Sequence, residues 1–207
     1  MNMKILFVLI LFGVLTALAP YAVAASGPEA APERITLHAP DKAGGMPLMQ
    51  ALALRATNRS ISPQPLPEKD LSNLLWAVWG VNRESGKRTV PTANNSQAAA
   101  LYVAMANGVW RYEGAAHELV KVLNEDTRAE FGGAPLILIY AAEEGPYAGM
   151  HVGSMYQNAG LYCASAGLAS VVKGTGVSLL KDRLPLPPKY AIRIVQPVGL
   201  PKQAAAP

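Results

Sequence analysis

The stretch Pro135-Leu-Ile-Leu-Ile-Tyr-Ala141 constrains the fold of this chain more than any other. It is a short, wholly apolar run of strand-forming residues with no polar alternation, which fits a β-strand buried on both faces. Such a strand needs other elements laid against it, and the sequence supplies them. Over 68–79, Leu71, Leu74, Leu75 and Val78 fall at i, i+3, i+4 and i+7. That is an amphipathic helix, with Pro67, Glu68 and Asp70 suited to its first turn and Gly80 to its end. The longest helix candidate is 149–167, with Val152, Met155, Tyr156, Ala159, Cys163 and Ala166 as its buried stripe. Shorter helices are expected over 48–57 and around 124–131. Strand-like runs at 98–105 and 109–113 flank Asn107-Gly108, a hairpin signal because both turn positions favour a positive φ. Strands at 168–172 and 190–198 close the chain. The expectation is an α+β domain with a mostly antiparallel sheet flanked by helices.

The N-terminus bears on location. One positive charge at Lys4, an almost unbroken apolar run over 5–18 and the small residues Ala22-Val23-Ala24 form the pattern of a secretory signal peptide covering residues 1–24. The alternative is an uncleaved N-terminal anchor. With cleavage, the expectation is export across the inner membrane to the periplasm and no stable membrane insertion afterwards. Residues 25–46, rich in Ala, Pro and Gly, read as a flexible arm, 47–202 as the folded domain and 203–207 as a tail.

Removing the leader leaves a mild, scattered positive excess with no basic stripe, which argues against nucleic acid as a partner. The single cysteine, Cys163, has no partner for an internal disulfide, so packing alone must hold the fold. His38, His117 and His151 lack the spacing of a metal site, and no Gly-x-Ser-x-Gly elbow supports a serine hydrolase. Trp76 and Trp79 read as core or interface residues.

Three polar stretches remain to be explained. Arg55-Ala-Thr57-Asn-Arg59 ends the first helix; two guanidinium groups around a hydroxyl suit a phosphate, or simply a solvated helix end. Pro91-Thr-Ala-Asn-Asn-Ser-Gln97 is either a polar surface turn or a set of donors and acceptors aimed at a flat polar ring. Ser170-Val-Val-Lys173-Gly174-Thr175-Gly176 offers close backbone approach beside a cation, or an ordinary turn.

Taken together and in this order, the three stretches resemble the nitroreductase family of flavin mononucleotide (FMN) enzymes. Arg55-x-Thr57-x-Arg59 resembles the family's phosphate-binding start, and Pro91-Thr-Ala-Asn-Asn-Ser-Gln97 its Pro-Ser-Ser-x-Asn-x-Gln loop. Met155-Tyr-Gln-Asn-Ala-Gly-Leu161 and the tail ending Pro197-Val-Gly-Leu-Pro201 are also similar to family segments. Gly108-Val-Trp-Arg-Tyr112 resembles the branch that dehydrogenates azoline rings in modified peptides. The resemblance implies a nitroreductase-like fold, an intertwined homodimer with two flavins at its interface, and FMN as cofactor. Arg55, Thr57 and Arg59 would hold the phosphate and ribityl chain. Pro91, Thr92, Ala93, Asn94 and Asn95 would reach the ring from the partner subunit, Lys173 and Gly174 would lie at its other edge, and Lys202 is the C-terminal candidate for the phosphate. It further implies ping-pong hydride transfer to or from a small organic substrate, with NAD(P)H or another reductant as donor and no catalytic side chain. The alternative is a flavin-binding or small-molecule-binding protein of the same fold without turnover. Two departures stand out: Ala93 occupies a position where a hydroxyl is common, and Lys189-Tyr190 has the letters of the azoline-oxidising pair but lies at the start of the closing strand.

Overall fold

The computed structural model describes residues 31–203; the segment 1–24 read as a signal peptide, residues 25–30 of the expected arm and most of the tail lie outside them. Seven strands form one sheet: β1 (Arg34–Thr36), β2 (Ala99–Met105), β3 (Gly108–Glu113), β4 (Glu118–Leu123), β5 (Leu136–Glu143), β6 (Ala169–Ser170) and β7 (Tyr190–Gly199). Their order across the sheet is β1-β4-β3-β2-β5-β7-β6, and every neighbouring pair is antiparallel. Among the described residues three helices accompany the sheet: α1 (Leu48–Leu54), α2 (Glu68–Trp79) and α3 (Ala148–Ala166). The expected α+β class with an antiparallel sheet is what the chain adopts.

β5 shows why the apolar run matters. Alternate side chains of a strand point to opposite faces, so Leu136, Leu138, Tyr140 and Ala142 join α2 and α3 in one core. Ile137, Ile139 and Ala141 join a second core with Phe131, Leu180 and Leu184, supplied by the single-turn segments Arg128–Phe131 and Val177–Leu180 and the residues after them. The sheet is therefore sandwiched between helices on one side and short turns on the other. Truncating a fully buried side chain such as Leu138 would cost about 2–5 kcal/mol.

α2 has the bounds its periodicity predicts and buries Leu74, Leu75 and Val78 completely, with Leu71 half-buried. α3 buries Val152, Met155, Ala159 and Cys163 as expected, but its stripe also takes in His151, while Ala166 is exposed and Tyr156 only half-buried. Gly167 ends α3 in the left-handed conformation with φ 68°, a position glycine occupies without a Cβ penalty.

Several local expectations differ from the structure. In the β2–β3 hairpin the two loop residues are Ala106 and Asn107, since Met105 pairs with Gly108. Only Gly108 takes a positive φ, 127°, and a Cβ there would collide with the Leu123 carbonyl oxygen. Asn107 instead accepts a hydrogen bond from Trp110 Nε1 at 3.1 Å through its side chain. The helix expected around 124–131 shrinks to one turn, and the strand expected over 168–172 pairs only at Ala169–Ser170. β4 was not anticipated, nor was β1, which lies in the stretch read as a flexible arm. β1 pairs with β4, and Asp41 caps the following turn by accepting from Ala43 and Gly44 N–H groups.

Candidate functional site

The segment after α1 is stitched to the far edge of the sheet. Asn58 N–H donates to Ser170 O at 2.9 Å, Ser62 N–H to Leu200 O at 2.8 Å, and Lys202 N–H to Ser60 O at 2.8 Å. This ladder brings Arg59 from the start of the domain beside Lys202 from its end. Lys173 is fixed by a reciprocal backbone pair with Val195, at 2.8 and 3.0 Å, and its ammonium donates to Phe131 O at 3.1 Å. The result is a cavity of about 430 Å³ walled by Ile61, Phe131, Val171, Val172 and Pro197, with Arg59, Lys173 and Lys202 as its charged groups. Among the described residues no carboxylate lines it. Among the described residues no carboxylate forms an ion pair with Arg55, Arg59, Lys173 or Lys202. Gly174 also lines the cavity, and the space its Cβ would enter is open. Three cations over apolar walls form a donor set suited to an amphipathic anion: a phosphate for the charges and a ring for the walls.

Arg55 and Thr57 line a smaller cleft of about 70 Å³ together with Gln157, Gly160, Ser170 and Gln196; Val172 borders both spaces. The methylenes of Arg55 lie over Gly160 of α3. Beneath this cleft runs a buried polar chain in which Tyr140 donates to Gln196 at 2.6 Å and Gln196 to Ser170 Oγ at 3.2 Å. Burial drives the Tyr140 hydroxyl well above its ordinary pKa and the Cys163 thiol up to about 12, so both stay protonated near neutrality.

The third stretch lies elsewhere. Pro91, Thr92, Ala93, Asn94 and Asn95 form a tight turn that packs on the N-terminal end of α3, where Ala93 N–H donates to His151 Nε2 at 3.0 Å. Arg55 sits over Gly160, nine residues further along α3, which is about 13 Å of helix rise. Within one chain the turn does not line the cavity that holds Arg59, Lys173, Gly174 and Lys202. Its backbone is held under constraint: Asn94, Asn95 and Gln97 have φ of 53°, 53° and 49°, a region non-glycine residues occupy sparingly. Gln97 N–H donates to Thr92 Oγ1 at 3.0 Å, and the Gln97 side-chain Oε1 accepts from Arg88 Nε at 2.8 Å. Arg88 in turn lies 4.8 Å over the Trp79 ring and donates to the Trp79 carbonyl. These ties leave Asn94 and Asn95 exposed on a braced turn.

The sequence reading missed the apolar walls and His151. The walls come from four separate segments that carry no shared motif. His151 left a trace, a polar residue among the apolar positions of the α3 stripe, but nothing in the spacing indicated its partner.

Fold and cavity define an α+β scaffold with a cationic, apolar-walled site, and comparison with known proteins identifies its family. The profile of the Nitroreductase family matches residues 52–200, so this chain belongs to that family. It is 30% identical over 154 residues to a protein of Methanocaldococcus jannaschii assigned to the nitroreductases, covering 61% of this chain and 78% of that one. A crystal structure of a nitroreductase-type protein from Ralstonia eutropha JMP134 superposes with a TM-score of 0.76 at 36% identity, covering 83% of this chain and 90% of that chain. The Escherichia coli microcin synthetase complex matches at TM-score 0.62 and 21% identity, covering 72% and 69% of the two chains, and shares the fold.

Proposed function

We propose that this chain is an FMN-dependent oxidoreductase that works as a homodimer and transfers a hydride to or from a small organic substrate. The observation that carries the reading is the cavity in which Arg59, Lys173 and Lys202 converge over apolar walls with no carboxylate. Family membership supports it, as does the FMN bound in a Bacteroides fragilis nitroreductase of the same fold. The bound flavin would supply the hydride chemistry, so the protein needs no acid or base of its own.

This chain's residues bind and orient. Arg59, Lys173 and Lys202 neutralise the phosphate, Arg55 and Thr57 extend the contacts towards the ribityl chain, and Val171, Val172 and Pro197 seat the ring. The Lys173-Gly174 backbone gives close approach to the ring edge. Asn94 and Asn95, remote from the cavity of their own chain, would reach the cavity of a second subunit. The exposed Leu48, Met49 and Leu52 of α1 and Tyr147 and Met150 of α3 give such a subunit an apolar surface to cover. The resemblance of Gly108–Tyr112 to azoline dehydrogenases makes a heterocycle one substrate class to test beside a nitro group.

The proposal includes export, motivated by the leader-like residues 1–24. Among the described residues no helix is long and apolar enough to cross a membrane. An exported chain would need an electron donor present in that compartment, NAD(P)H or another reductant.

The test is anaerobic. The flavin-loaded protein is mixed separately with NADH, NADPH, a reduced quinone or an azoline as electron donor, and the visible flavin bands are followed before and after adding a nitroaromatic or an oxidised quinone as acceptor. Bleaching by one donor and recovery with one acceptor, with parallel-line kinetics, supports the reading. Bands that respond to no donor and no substrate would reduce the proposal to a flavin-binding protein.

A further inference from the structure

We infer that His151 is a positioning residue for the flavin-contacting turn, holding it by a hydrogen bond that requires the neutral imidazole in its Nδ1–H form. The inference rests on the reading of Asn94 and Asn95 as ring contacts and adds the device that fixes them.

His151 is 5% exposed and sits in the first turn of α3, among Ala148, Val152 and Met155. Its Nε2 lies 3.0 Å from the backbone nitrogen of Ala93, with N–H geometry directed at the ring nitrogen. A backbone amide can only donate, so Nε2 must be the acceptor and carry no proton. The proton of the neutral ring then sits on Nδ1, and that atom has no hydrogen-bond partner among the described residues. A Leu or Met at this position would continue the stripe without a stranded donor, so core packing alone does not account for a histidine. What the histidine contributes is the acceptor under Ala93.

Ala93 is the hinge of the turn. It precedes Asn94, whose φ of 53° aims the two asparagines outward, and its carbonyl accepts from Ser96 N–H at 2.9 Å. On the far side the turn is tied by Thr92 to Gln97 and by Gln97 to Arg88. On the α3 side the tie is His151. Among the described residues the aromatic ring stacked near it is Tyr147, 6.5 Å away between centroids.

The test uses the full chain with FMN as probe and two substitutions. His151→Gln keeps a carbonyl acceptor for Ala93 N–H; His151→Leu keeps the packing and removes the acceptor. The expected result is that His151→Leu weakens FMN binding about three- to tenfold, the loss of one buried neutral hydrogen bond, while His151→Gln stays close to wild type. Equal weakening in both variants overturns the role. The ¹⁵N shifts of His151 in flavin-free wild type provide a second, independent readout: the Nδ1–H tautomer is expected, and an Nε2–H tautomer overturns the inference even if FMN binds. Should His151→Leu fail to fold, hydrogen exchange at the Ala93 amide in His151→Gln decides, with protection retained expected and protection lost contradicting it. A wild-type chain that has the Nδ1–H tautomer but takes up no FMN would overturn the flavin role of the turn together with the proposed function, a result distinct from a wrong tautomer.

Discussion

Replacing Arg59 by Ala removes one of the three cations that face the cavity while leaving its apolar walls intact. Arg59 is exposed and forms no ion pair with a described carboxylate, so the substitution strips no buried partner and should leave stability nearly unchanged. Its whole effect should fall on the anionic end of the ligand. A charge-assisted contact to phosphate contributes about 1.5–3 kcal/mol, and exposure favours the lower figure. At 1.4 kcal/mol for each factor of ten, FMN affinity should fall about tenfold, with about 150-fold as the ceiling. Riboflavin, which has the same ring and ribityl chain but no phosphate, should lose almost nothing. Fluorescence titration of both flavins against wild type and variant gives the four dissociation constants needed. Arg59→Lys should fall between the two, because an ammonium keeps the charge and loses the fork. Raising the salt should weaken FMN binding more than riboflavin binding. The reasoning is refuted if Arg59→Ala weakens riboflavin as much as FMN, or if wild type binds the two flavins equally.

Three further outcomes are expected. Cys163 is buried and its thiol is pushed up to about 12, so a thiol reagent at mildly alkaline pH should not label the native chain but should label it fully in denaturant; rapid native labelling would contradict the packing of α3. Burial holds the pKa of His117 below its ordinary value, so the folded state favours the neutral ring that joins Tyr112, Ser72 and the His38 carbonyl. Stability should therefore be present above the ordinary histidine range, about 6.5, and decline as pH falls through it. His117→Asn, which tolerates the φ of 52° there, should flatten that part of the melting-temperature profile; an unchanged profile would contradict it. Gly108→Ala should lower stability by about 1–3 kcal/mol in urea unfolding, because of the 127° φ and the clash with the Leu123 carbonyl; a neutral effect would show that the hairpin turn is wrongly described.

The parts of the fold legible in the sequence were those specified locally. The Pro135–Ala141 run and the α2 and α3 stripes announce their burial because each is written in consecutive or periodic residues. β4 was not legible, since Lys121 interrupts an already short apolar run. Only the folded chain shows that its ammonium lies 4.8 Å over the Trp110 ring and pairs with Glu33. β1 exists by pairing with β4, so neither strand is visible without the other. In the hairpin the Asn-Gly signal was right about the reversal and wrong about the turn, because the Asn107 side chain bonds Trp110 while only Gly108 adopts positive φ. At the candidate site, the sequence supplied the cations, and the structure gathers Arg59, Lys173, Gly174 and Lys202 into one cavity. It could not supply the walls, which are assembled from residues as distant as Ile61 and Pro197. Nor does a single chain bring the Pro91–Asn95 turn to that cavity, which is why the account needs a second subunit.

The measurement that tests the central claim most directly is a visible absorption spectrum of the purified chain after incubation with excess FMN and desalting, taken alongside its mass in solution. The account predicts retained flavin bands at about one flavin per chain and a dimeric mass. A colourless protein that sheds the flavin on desalting would contradict it.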